Sequence, residues 1–90
     1  MERMQQLLGT WGATEEQAKR ISATIDDNLL EYIHDSLLVA FNNPANQQKF
    51  MSMKNKNSPF NGATPIAYLA QHPEQARRVA EHIMSHGMPW

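Results

Sequence analysis

Cysteine is absent from the sequence, which excludes a disulfide framework, thiolate catalysis and every cysteine-ligated metal site. No sign of charge dominates: eight Lys and Arg stand against nine Asp and Glu. A formal net charge of −1 leaves no overall electrostatic footprint for nucleic acid. Long apolar runs are missing too, since the longest, Leu37-Leu38-Val39-Ala40-Phe41, is far short of the ~20 residues a membrane helix needs. Glu2, Arg3, Gln5 and Gln6 interrupt the start, so no basic segment followed by an apolar one opens the chain. A cytoplasmic setting, bacterial or general, is expected. Glycine is scarce, with four in the chain, and Gly62 is isolated, so no phosphate-cradling loop is present. What remains is 41% hydrophobic and 19% charged, a balance that suits a folded chain. Ninety residues make one domain with a thin core, for which association with another chain is a natural source of stability.

The pattern is helical throughout, with no alternating β signature and no repeat. Met1, Met4, Leu7, Leu8 and Trp11 share one face of a first helix, and Gly9 and Gly12 are expected to leave its end ragged. Thr14-Glu15-Glu16-Gln17 has the form of a capping box opening a helix that buries Ala18, Ile21 and Ile25. Asp26-Asp27-Asn28 is either a new N-cap or a break. The apolar segment Leu29, Leu30, Ile33, Leu37, Leu38 and Phe41 follows and predicts a central helix with a wide stripe. Asn42-Asn43-Pro44 stops it, and Pro44 starts a short helix ending near Phe50 to Met53. Lys54 to Ala63 is irregular. Thr64-Pro65 restarts helix through Ala70, burying Ile66 and Leu69, and His72-Pro73-Glu74 opens the last helix, with Ala76, Val79, Ala80, Ile83 and Met84 inward. Gly87 ends it at a C′ position, leaving Met88-Pro89-Trp90 as a tail. The expected fold is all-α, a compact bundle of about five short helices: residues 1–25 form the N-terminal helices, 26–87 the body and 88–90 the tail.

Reactive chemistry is hard to assemble from these residues. His82 and His86 lie four apart and could share a metal, but Glu81 precedes His82 where the zincin pattern needs Glu after it. No third ligand is indicated beyond His72, so a structural or surface role is favoured. Glu31 and Asp35 are four apart on the central helix, a pair that usually marks a solvated face. With no convergent nucleophile, base and oxyanion donors, and no cofactor motif, no enzyme activity is expected. Lys49, Lys54, Lys56, Arg77 and Arg78 are the residues on which nucleic-acid binding would rest. Residues 1–25 could be taken for a helix-turn-helix, but Glu15 and Glu16 occupy the N-terminal end of its second helix and would repel phosphate. Trp90 either folds back on the bundle or anchors in a partner's pocket.

Asn57-Ser58-Pro59-Phe60-Asn61-Gly62-Ala63-Thr64-Pro65-Ile66-Ala67-Tyr68-Leu69 resembles the toxin-binding domain of antitoxins of the Xre/MbcA/ParS type. Asn57, Phe60, Gly62, Pro65, Ile66 and Leu69 fall at the places of that family's motif, an Asn, an apolar residue and Gly, then a Pro opening a short apolar helix. The upstream apolar helix ending in an Asn/Pro turn and the closing helix around Val79 agree with it, so the likeness covers about two-thirds of the chain. Phe50 is the nearest upstream aromatic where members carry Trp closer to the Asn, which implies a longer loop. The residues before the match are fewer than the helix-turn-helix domain many members carry, so operator binding is not carried over. Independently of the name, Gly62 permits a rare backbone angle, Phe60 pins the loop and Thr64-Pro65 restarts helix.

The resemblance implies a non-catalytic antitoxin whose partner is a cognate toxin, an ADP-ribosyltransferase-like consumer of NAD whose active site it occludes. Arg77, Arg78, His82, His86, Met88 and Trp90 are then the expected partner-binding residues; Asn57, Phe60, Gly62, Thr64, Pro65 and Leu69 are the structural motif. The alternatives are a small helical DNA-binding regulator, dimeric through the central helix, and a self-associating structural module with the apolar stripe as its seam.

Overall fold

A computed structural model describes residues 2–57 and 59–87. Within them the chain forms six α-helices and no strand: α1 (Glu2–Thr10), α2 (Glu15–Thr24), α3 (Asp27–Ala40), α4 (Pro44–Ser52), α5 (Pro65–Gln71) and α6 (Ala76–Gly87). The fold is the expected all-α bundle, each helix lying at a segment the pattern marks as helical. Its radius of gyration of 11.8 Å is close to the ~12 Å of a compact domain this long. No helix of the described residues is long and apolar enough to cross a membrane.

The caps follow from local chemistry. Both halves of the Thr14 capping box form: the Thr14 hydroxyl accepts from the Gln17 N–H at 3.1 Å, and the Gln17 side chain accepts from the Thr14 N–H at 3.0 Å. Asp26 is a true N-cap, accepting from the Asn28 N–H at 2.9 Å, so the chain breaks between α2 and α3. Asn43 caps α4 in the same way with Pro44 in its first turn, and Thr64 caps α5 ahead of Pro65. Each cap gives a partner to a backbone donor that the helix cannot satisfy itself.

Three local expectations are corrected. The end of α1 is not ragged: Gly12 adopts φ +91°, the Ala13 N–H donates to the Leu8 carbonyl at 3.0 Å, and the Gly12 N–H donates to the Gly9 carbonyl at 3.0 Å. This is a Schellman cap, for which a left-handed glycine is the natural residue. Pro73 does not open α6 directly; Pro73–Gln75 form a 3-10 turn with no side-chain cap from His72. Leu38 was expected on the buried stripe, yet it is 50% exposed and neighbouring Val39 48%. The two follow Leu37 by roughly 100° and 200° around the helix, outside the sector its neighbours cover.

The core runs along the α3–α6 contact. Leu30, Ile33 and Leu37 of α3 are fully buried, as are Ala76, Val79, Ala80 and Ile83 of α6. Met4, Leu8 and Trp11 from α1 and its cap, Ala18 and Ile21 from α2 with Ile25 after it, Met51 from α4, Phe60 from the loop, and Ile66, Leu69 and Ala70 from α5 complete the cluster. The inner stripe of α3 is therefore covered within the chain itself. Two buried polar groups are satisfied by backbone, Ser36 donating to the Tyr32 carbonyl and the Gln47 amide to the Phe41 carbonyl.

Candidate functional site

The motif residues of the α4–α5 connection are occupied with building the loop. The Asn57 carbonyl accepts from the N–H groups of Phe60 and Asn61 at 2.9 and 3.1 Å. Asn55 ties the loop shut, its carbonyl accepting from the Gly62 N–H at 2.7 Å and its N–H donating to the Ala63 carbonyl at 3.0 Å. Asn61 and Gly62 both take positive φ, 53° and 100°, the left-handed region that Asn tolerates and Gly occupies without cost. Phe60 is buried, and Pro65 and Leu69 lie inside the core behind the Thr64 cap.

From Phe60 an aromatic chain reaches outward. Its ring meets Tyr68 edge-on at 5.5 Å, His82 of α6 edge-on at 5.5 Å, and Phe50 at 6.1 Å; Phe50 in turn meets Phe41 at 5.4 Å. Such edge-to-face pairs set the positive ring edge against the negative face. The outer end of the chain is a surface pocket of about 350 Å³, with Phe41, Phe50 and Met53 for apolar lining and Lys49, Lys54 and Asn46 around them. Met53 is 51% exposed, and both lysines are exposed.

The residues expected to bind a partner are only partly brought together. His82 is half-buried against Phe60, and Arg78 lies one turn before it on the same side of α6. Arg77 is exposed but points elsewhere around the helix, one turn before Glu81. The His86 side chain, Met88 and Trp90 lie outside the described residues. Among those described, no three His, Asp or Glu gather as a metal site would require.

The pocket itself escaped the sequence reading, because Phe41 and Phe50 looked like helix-end core and the lysines looked scattered. A signal was available. Between Asp35 and Glu74 the chain has no acidic residue and carries Lys49, Lys54 and Lys56, whereas the remainder holds all nine acids against five basic residues. The acids near the N-termini of α2 and α3 favourably face the helix dipoles. No family model matches the chain, and neither does any curated protein or solved structure.

Proposed function

We propose that this chain is a non-catalytic protein-binding module, an antitoxin that neutralises an ADP-ribosyltransferase-like toxin by covering its active site. One observation carries the docking part of this reading: the apolar pocket of Phe41, Phe50 and Met53 is exposed and rimmed by Lys49 and Lys54. An apolar anchor flanked by acidic side chains would fill it, with desolvated contact at the centre and charge pairs at the rim. His82 connects to the pocket residue Phe50 through the buried Phe60 ring, which meets both. The nature of the partner rests on the motif from Asn57 to Leu69, whose residues build the loop that holds Phe60 beneath this surface.

The test is co-expression with a toxin encoded in an adjacent reading frame. The antitoxin reading expects growth to be restored and the two chains to co-purify. Continued growth arrest, with this chain soluble and unbound, would overturn it. The acid-free stretch with its three lysines gives a second reading, a small DNA-binding regulator. A duplex shifted at low salt and released as salt rises would favour that reading instead.

A further inference from the structure

The loop between α4 and α5 exposes a reactive dipeptide. Of the asparagines in the chain, Asn61 alone precedes a glycine. Asparagine is a thermally labile residue, and most so before glycine, where no side chain shields the following peptide nitrogen. Asn61 and Gly62 are both exposed, and a Cβ built on Gly62 would meet nothing within 4 Å. Water and hydroxide therefore reach the pair. The reaction open to it is intramolecular. The Gly62 nitrogen, once hydroxide has taken its proton, attacks the Asn61 Cγ, and a carbon–nitrogen bond forms as the Cγ–Nδ2 bond breaks. Nδ2 takes up a proton and leaves as ammonia, and a succinimide ring remains. One water then opens the ring at either carbonyl, giving aspartate or its backbone-lengthened isomer, isoaspartate. Amide and water become acid and ammonia, with no other reactant.

In the closed loop both reacting groups are engaged elsewhere. The Gly62 N–H donates to the Asn55 carbonyl at 2.7 Å, which holds its proton, and Asn61 Nδ2 donates to the Pro59 carbonyl at 3.3 Å. Asn55 is itself fixed twice. Its N–H donates to the Ala63 carbonyl at 3.0 Å, and its Oδ1 accepts from the Asn57 N–H at 2.9 Å. We propose that Asn61 is a site of spontaneous deamidation gated by this Asn55 latch: the closed loop holds the reaction off and each local opening admits it. Every event puts a carboxylate into the stretch between Asp35 and Glu74, which otherwise has no acid. It also removes the amide that donates to Pro59, and the isoaspartate product adds an atom to the backbone of a turn closed by the Asn61 N–H on the Asn57 carbonyl. This inference is independent of the toxin-binding reading.

The test incubates the full-length chain in ¹⁸O-labelled water, folded or unfolded in guanidinium chloride at the same pH. Peptide mapping by mass spectrometry then locates the incorporated label. In the folded chain, residue 61 should label faster than any other asparagine, and faster still as pH rises. Its rate should lie roughly tenfold to a hundredfold below that of the unfolded chain, the worth of two hydrogen bonds. Asn55→Ala removes the Oδ1 acceptor and should speed labelling of the folded chain about threefold or more, with helical circular dichroism unchanged. A folded rate outside the expected range would overturn the gate, whether or not the variant folds. Faster labelling at another asparagine would overturn the site, and an unchanged rate in folded Asn55→Ala would overturn the latch.

Discussion

Among single residues, three glycines near one another in type carry three different constraints. Gly12 has φ +91°, and a Cβ built on it would lie 3.0 Å from the Ser52 Cβ. Gly62 has φ +100° but open space where its Cβ would be. Gly9 sits within α1 with nothing within 4 Å. Gly62→Ala should therefore cost about 1 kcal/mol, from backbone strain alone. Gly12→Ala should cost more, about 2–3 kcal/mol, because α4 must also give way. Gly9→Ala should be neutral or stabilising by up to ~0.5 kcal/mol, since alanine is the better helix former. Urea unfolding of the three variants checks the order, and a Gly12→Ala variant as stable as Gly62→Ala would remove the α1–α4 approach from this account. Gly62 was legible in the sequence because Phe60, Thr64 and Pro65 frame it as a turn. Gly12 was not, because its role depends on Ser52, forty residues away.

At the scale of elements, what was legible is what the chain settles locally. Thr14-Glu15-Glu16-Gln17, Asp26, Asn43-Pro44 and Thr64-Pro65 all mark helix starts, since the cap and the groups it satisfies lie within three residues. Thr14→Ala and Thr64→Ala should each cost about 1 kcal/mol, and each loss should be recovered largely by Ser or Asp at the same position. What was not legible is which part of a wide apolar stripe is covered. Ile33 and Leu38 look alike in sequence, yet α6 lies over the first and solvent reaches the second. Ile33→Ala should cost about 2–5 kcal/mol, enough to unfold much of a domain this small. Leu38→Ala should change stability by less than about 0.5 kcal/mol. Thermal melts of the pair would check it, and similar losses for both would mean that Leu38 is covered in solution, as a seam between two copies would do.

Across the whole molecule, a net charge of −1 conceals a division along the chain: α3 and its cap carry Asp26, Asp27, Glu31 and Asp35 with no Lys or Arg, while the Lys-bearing α4 and its loop have no acid. A uniform surface would make every charge change equivalent in its effect on an acidic partner; this one does not. Reversing the pocket lysines, Lys49→Glu with Lys54→Glu, removes two attractions and creates two repulsions beside the apolar lining of Phe41, Phe50 and Met53. Both side chains are exposed, so the helical circular dichroism should be unchanged. Under the proposed toxin-binding reading, affinity should fall by about tenfold to a hundredfold, mainly through slower association, and added salt, which weakens binding by the original chain, should partly restore it. Arg77→Glu supplies the contrast, because Arg77 projects away from the Arg78 and His82 side of α6. Its effect should stay within about twofold, the long-range part of one screened charge. Calorimetric titration of the partner that the proposed reading expects to co-purify separates the cases. If Arg77→Glu weakened binding as much as the lysine pair did, docking would centre on the exposed side of α6 and the pocket would be incidental to it.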